Sequence, residues 1–265
     1  MRERLIVAGQ FLFTLVVAAF LIVPAILSML AGITVNYFRG IASGVTLQWV
    51  IQVWDLYAET IGRSFLVAGA ALFVTLVVGV PAAYALIVRG GRLSRAVEEI
   101  ITLPLAIPGL AIALALLLVY GGFSDFRRSW LFILAGHVIF TLPFMVRAVM
   151  AVLATIDVRT LDESAASLGA GPWRRFHDVI VPNARPGILA GALSVVTLSL
   201  GEFNLTWMLH TPLTKTLPVG LADSYASMRL EVASAYTLVF FVMIIPLLVA
   251  MQLFADVSSG ARSRT

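Results

Sequence analysis

Long apolar runs alternate with short polar stretches along this chain, at approximately 5–30, 64–88, 100–120, 131–154, 187–209 and 232–254. Each run reaches the length of about 20 residues that an α-helix needs to cross the hydrocarbon core of a bilayer. The pattern predicts an all-α membrane protein of six transmembrane helices, a single domain over residues 1–265. The longest connections, 31–63 and 155–186, leave no room for an independent enzymatic domain. The first run follows Met1-Arg2-Glu3-Arg4 but far exceeds the roughly 7–15 apolar residues of a signal peptide, so it reads as an uncleaved span.

Composition narrows the class. The chain is 60% hydrophobic and 12% charged, about half the charged fraction of an ordinary soluble domain. This excludes a soluble enzyme or nucleic-acid binder despite a pI near 9.8. With no cysteine, disulfides and thiol chemistry are excluded as well. The 18 basic residues instead report orientation: Arg39, Arg63, Arg127, Arg128, Lys215 and Arg229 fall on one side, and the other twelve, from Arg2 and Arg4 to Arg262 and Arg264, on the other. The positive-inside rule places the richer side, with both termini, in the cytoplasm. Prolines 24, 81, 104, 108, 143 and 246 lie within or at the ends of five runs. They read as bends in packed helices, which a membrane bundle tolerates, or as hinges of a pathway that opens by moving kinked helices.

The connection between runs four and five is the most informative stretch: Thr160-Leu-Asp-Glu-Ser-Ala-Ala-Ser-Leu-Gly169-Ala-Gly-Pro-Trp-Arg-Arg-Phe-His-Asp-Val-Ile-Val-Pro182. Thr160 and Glu163 are spaced as a capping box, Gly169 suits a helix stop, and Pro172 suits the first turn of a second helix that should end before Pro182. A helix-turn-helix is predicted. Ala165 and Ala166 give its first helix a small-residue surface open to another backbone. Trp173 and Phe176 share a face of the second, as a protein interface or against lipid headgroups.

This stretch resembles the signature loop of the integral membrane subunits of bacterial binding-protein-dependent ABC importers, E-A-A-x3-G-x9-I-x-L-P. The matching positions are Glu163, Ser164 in place of an alanine, Ala165, Gly169, Val179 and Val181 in place of isoleucine and leucine, and Pro182. Thr46-Leu47-Gln48-Trp49, Leu103-Pro104 through Pro108-Gly109 and Ser199-Leu-Gly-Glu-Phe203 are similar to the same family, so the resemblance spans roughly residues 45–250. It implies a permease subunit of the inner membrane whose loop, 155–186, is a cytoplasmic coupling helix docked on an ATPase. Glu163, Ser164, Ala165, Gly169, Trp173, Phe176 and Pro182 are the expected coupling residues. The implied partners are an ABC ATPase dimer, a second permease subunit as a heterodimer or homodimer, and an extracytoplasmic solute-binding protein. The chain has one lysine and no G-x-x-x-x-G-K-[ST] loop, so ATP and Mg are expected on the partner ATPase. No enzymatic activity, cofactor, metal or nucleic acid is expected on this chain.

Within the spans Glu202 stands out, since an intramembrane carboxylate is costly unless it faces water or a partner. With Asn204 it either lines the translocation path or its outer gate, or snorkels or pairs with Arg127, Arg128 or Lys215. His137 reads as a satisfied packing residue. Ser194, Ser199, Thr197 and Thr206 read as interhelical hydrogen-bonders, and Trp49, Trp54 and Tyr57 as an interfacial anchor ahead of span two. The three histidines have no metal-ligand spacing.

A secondary transporter or channel would show paired broken spans with internal symmetry or several intramembrane charges, and an intramembrane enzyme a cluster of facing acid, base or nucleophile groups. Neither pattern is present in the sequence. Ser199–Phe203 and Arg185-Pro186-Gly187 look closest to importers of polyamines, oxyanions, phosphonates and ferric iron, whereas Thr216-Leu-Pro-Val-Gly-Leu221 is similar to sugar importer permeases. A carboxylate at 202 in a pathway would favour a cation.

Overall fold

The structure, a computed structural model, describes residues 2–260. Arg262 and Arg264, placed on the basic side above, lie outside the described residues, as do the side chains of Arg2 and Arg4. Regular structure among the described residues is helical, with one isolated antiparallel bridge between Thr34 and Val45. The helices are α1 (Arg2–Ala31), α2 (Gln48–Arg89), α3 (Gly91–Thr102), α4 (Gly109–Tyr120), α5 (Ser124–Arg128), α6 (Trp130–Leu153), α7 (Val158–Ser167), α8 (Pro172–Gly201), α9 (Asn204–Leu209), α10 (Leu217–Ala226) and α11 (Leu230–Gly260).

Five of these are long and apolar enough to cross a bilayer: α1, α2, α6, α8 and the Leu230–Leu253 part of α11. A sixth crossing exists only if α3 and α4 are joined across a bend of 108°. The continuous span expected over 100–120 is therefore a broken one. Its cause is local. Ile107 precedes Pro108 and is held extended (φ −98°, ψ 128°), because the proline ring disfavours helical backbone in the residue before it. Leu103–Ala106 forms a single 3-10 turn before the break, and α4 restarts at Gly109. The run expected over 187–209 is also interrupted: α8 ends at Gly201 and Glu202 is extended (ψ 120°). Prolines 24, 81, 143 and 246, by contrast, sit inside unbroken helices.

The chain folds into two compact units. One comprises the residues up to Ala58 together with Gly220–Ile245. In it Gly32 meets the backbone of Ser234 and Ala235 so closely that an added Cβ would overlap it. Trp49 Nε1 donates to the Thr34 carbonyl at 2.9 Å, and Arg229 Nη1 donates to the Tyr57 hydroxyl at 2.9 Å. Tyr57 packs on Tyr236 with ring centroids 4.8 Å apart. Trp49 and Tyr57, expected with Trp54 as an interfacial anchor ahead of span two, thus lie inside α2 and make contacts within this unit, while Trp54 remains exposed.

The other unit comprises Glu59–Val219 and the residues from Pro246 on. Its spine is α6 against α8, with Met145, Val146, Val149, Leu153, Ile180 and Val195 fully buried between neighbouring helices. Glycines set this approach: a Cβ at Gly187 would lie 2.6 Å from the Ala148 carbonyl oxygen, and one at Gly191 would lie 2.7 Å from Met145 Sδ. A second cluster (Val67, Ile112, Phe132, Ile133, Leu205, Leu209) joins α2, α4, α6 and α9.

Gly187→Ala is expected to destabilise the protein by about 1–3 kcal/mol, because a backbone carbonyl cannot step aside as a flexible side chain can. Gly69→Ala, where nothing lies within 4 Å of the added Cβ, should be neutral or stabilising. Thermal unfolding of the full-length protein in detergent compares the two.

Candidate functional site

The loop between α6 and α8 is built by local chemistry. Asp157 starts α7, its carboxylate accepting from the Thr160 amide (3.2 Å) and hydroxyl (2.6 Å). These bonds hold the Asp157 carboxyl below the ordinary aspartate range. The cap is therefore Asp157, and Thr160 is already helical, so the expected Thr160–Glu163 capping box does not form. At the other end Gly169 adopts φ 81°. Its amide donates to Ala166 O and that of Ala170 to Ala165 O, at 2.9 and 3.0 Å, a glycine-dependent stop that satisfies the last carbonyls.

Gly171 and Pro172 then open α8. The expected end of this helix before Pro182 is overturned. Arg175–Ile180 is π-helical, and the Val181 amide bonds back to Phe176 O, five residues earlier. This wider turn carries the chain into a proline without a break, and Asn183 Nδ2 supplies a donor to Val179 O at 2.7 Å. The second arm of the loop is thus continuous with the apolar helix that follows.

Val158, Asp162 and Ala165, spaced i, i+4, i+7, face inward. Ala165 is half-buried and only Ala166 is open, so the small-residue surface is split between the two faces. Asp162 is the clamp: its Oδ1 accepts from the Tyr84 hydroxyl of α2 and its Oδ2 from Arg175 Nη1 of α8, both at 2.6 Å. Glu163, Ser164, Gly169 and Trp173 face outward, with Leu168 89% and Trp173 73% exposed. Phe176 turns in against Tyr84, centroids 5.6 Å apart, while Trp173 stacks near the His177 ring at 6.1 Å. Trp173 and Phe176 share a face as expected, their ring centroids 6.0 Å apart, with Trp173 the outer and Phe176 the inner ring, and Pro182 is half-buried within α8.

At the far end of α8 the side chain of Glu202 is spent on the break itself. It is 9% exposed and caps α9: Oε1 accepts from the Leu205 amide at 3.0 Å, and Oε2 from the Thr206 amide at 2.9 Å and hydroxyl at 3.1 Å. Arg127 closes the other terminus, donating to Leu209 O at 2.6 Å and His210 O at 3.4 Å. Its guanidinium lies 5.2 Å from the Phe132 ring centroid. Glu202 and Arg127 are thus not a direct pair. They sit at opposite ends of one short helix, each where the helix dipole favours its charge.

His137, 1% exposed, joins three helices. Its Nε2 lies 2.8 Å from the Thr206 hydroxyl and its Nδ1 2.7 Å from that of Ser199. Since the single Thr206 hydroxyl proton goes to Glu202, Nε2 is the donor to Thr206. The chain Ser199–His137–Thr206–Glu202 ties α8, α6 and α9, and the first residue of α4, Gly109, leaves an added Cβ 3.6 Å from Glu202 Oε1. The breaks in the third and fifth apolar runs therefore meet. Ser199 and Thr206 bond between helices as expected, but Ser194 and Thr197 return to carbonyls of their own helix. Asn204 is exposed at the start of α9. Among the described residues no group of three or more His, Asp or Glu side chains is placed to hold a metal.

The fold is a membrane unit with broken helices and a helical loop hung between α6 and α8. Residues 75–259 match the family described as the binding-protein-dependent transport system inner membrane component, and the chain belongs to that family, the permease subunits of ABC importers. The molybdenum transport system permease protein ModB of Azotobacter vinelandii is 30% identical over 68% of this chain and 85% of its own length. The Salmonella typhimurium protein PhnV, named for a proposed part in 2-aminoethylphosphonate transport, is 29% identical over 84% of this chain and 79% of its own. Among solved structures, a bacterial alginate ABC transporter in complex with its alginate-bound periplasmic protein matches at TM-score 0.73 and 18% identity, covering 100% of this chain and 96% of that one. The inward-facing MetNI methionine ABC transporter matches at 0.63 and 18% identity, covering 79% and 97%. These two share the fold.

No local pattern signals the Asp162 clamp, whose partners Tyr84 and Arg175 lie 78 and 13 residues away. The Glu202 cap does leave a trace, a carboxylate four residues before a threonine just after a helix-ending glycine. Asp162→Ala is expected to cost about 1–3 kcal/mol by stranding the partly buried Arg175 and Tyr84. Hydrogen exchange should then show α7 loosening ahead of α6. Glu202→Ala should lower the thermal midpoint more than Glu202→Gln, whose remaining amide oxygen still accepts from one α9 amide. No loss in either variant would mean that the cap contributes nothing.

Proposed function

We propose that the chain forms the translocation pathway of an ATP-driven importer of an oxyanion or phosphonate, together with a second permease subunit. Its similarity to permeases named for molybdenum and 2-aminoethylphosphonate transport carries this reading. The Glu202 geometry supports it, since a carboxylate already accepting three hydrogen bonds from α9 offers little to a cation.

In this mechanism both termini and the α7 loop face the cytoplasm. Glu163, Ser164, Gly169 and Trp173, with the exposed Leu168, engage a separate ATPase dimer that binds ATP and Mg. Ala165, Phe176 and Pro182 act from behind, fixing the loop to the helices it moves. When the ATPases close, the Asp162 clamp transmits the displacement to α2 through Tyr84 and to α8 through Arg175. Because the second arm is continuous with α8, the motion passes as a rigid-body shift without a hinge. A loaded extracytoplasmic binding protein docks on the opposite face, and solute passes inward. Asn204, open at the start of α9, is the polar side chain nearest the break that remains free to line the path, with Glu202 setting its position.

Two measurements test this. Co-purification of the cognate binding protein and ligand titration should give binding of molybdate or a phosphonate, and selective binding of a sugar or polyol would reverse the substrate assignment. In a complex reconstituted with its ATPase, Glu163→Arg and Gly169→Trp should abolish solute-stimulated ATP hydrolysis while the permease stays folded. Full assembly and coupling in both variants would remove the loop from the mechanism.

A further inference from the structure

Helix α3 is amphipathic the wrong way round for a helix on a water-facing protein. Ser94, Glu98, Ile101 and Thr102 are half-buried toward the molecule, with Ile101 packed on the core that includes α6. Leu93, Val97 and Ile100, at i, i+4 and i+7, form a separate stripe about a third of a turn away and are 79%, 37% and 69% exposed. A helix bathed in water on its outer side turns its apolar stripe inward.

The surroundings point to lipid. Gly90 and Gly91, at φ 57° and 83°, turn the chain out of α2, and α3 meets α4 at 108°. The 108° turn takes α3 out of line with α4, so α3 lies as a boundary element that leads from α2 into the crossing α4 continues. Arg92 and Arg95 lie on the polar arc of its first turns. Arg89 closes α2 just before it, and the Arg159 guanidinium of α7 rests against Gly90, where an added Cβ would overlap it. Four arginines thus gather at the start of α3. Glu99 shares the polar arc further along, and Glu98 is turned partly inward.

We propose that α3 is an interfacial helix that sinks Leu93, Val97 and Ile100 into the acyl region of the adjoining leaflet, while Arg89, Arg92, Arg95 and Arg159 hold the phosphates of anionic lipid headgroups.

The absence of cysteine makes the test direct. Single cysteines replacing Val97, Ile100 or Glu99 in the full chain are spin-labelled and placed in phosphatidylcholine vesicles with or without phosphatidylglycerol. Labels from Val97→Cys and Ile100→Cys should be open to oxygen and shielded from a water-soluble nickel chelate, with Glu99→Cys the reverse. Phosphatidylglycerol should deepen the first two, and Arg92→Gln with Arg95→Gln should remove that response. Nickel access at 97 and 100 equal to that at 99 would overturn the proposal, as would immobilised labels shielded from both reagents, the mark of a protein partner. A phosphatidylglycerol response that survives the arginine substitutions, or one reproduced by inorganic phosphate on phosphatidylcholine vesicles, would overturn the headgroup assignment.

Discussion

A helix that breaks inside an apolar medium exposes amides and carbonyls that neither water nor lipid can satisfy. Each such group left bare is worth several kcal/mol, so the breaks in this chain organise what surrounds them. The interruption after Gly201 leaves the first amides of α9 in need of acceptors, and Glu202 supplies both oxygens. The last carbonyls of α9 receive the Arg127 guanidinium. His137 then locks the arrangement by reaching Thr206 and Ser199 together, and the restarting α4 brings Gly109 against the same carboxylate. What looks in isolation like an intramembrane charge awaiting a solute is the means by which a broken span stays folded.

The loop shows the complementary economy. Its outward residues are free of the fold, while Asp162 holds both of its arms and α2 through two short hydrogen bonds. Such a clamp makes the loop a rigid extension of the helices, as the proposed coupling role requires. The π-helical turn before Pro182 serves the same end, since a broken helix there would have inserted a hinge between the loop and α8. The tight glycine-mediated packing of α8 on α6 extends that rigidity along the unit.

Much of this is legible in the sequence. Six apolar runs, the Gly169 stop and the Pro172 start follow from hydropathy and single-residue stereochemistry, and the structure bears them out apart from the two breaks. The family resemblance rests on spacings that a sequence displays directly. Three of the errors share one cause. The Thr160 cap, the helix end before Pro182 and the unbroken 187–209 run each rest on a few neighbouring residues, and each outcome turns on an alternative nearby: a stronger acceptor at Asp157, a wider helical turn, and a carboxylate able to cap a restart.

The sequence by itself determined that the chain lives in a membrane, roughly where it crosses, and where the signature loop turns, because these depend on local apolarity and backbone preference. Only the tertiary structure decided what the charged and polar residues do. Whether Asp162 clamps or floats, whether Glu202 faces a solute or a helix end, and which side of α3 meets the protein depend on groups brought together from distant positions. In a low-dielectric interior the nearest satisfied hydrogen bond outweighs any intrinsic preference of the residue itself.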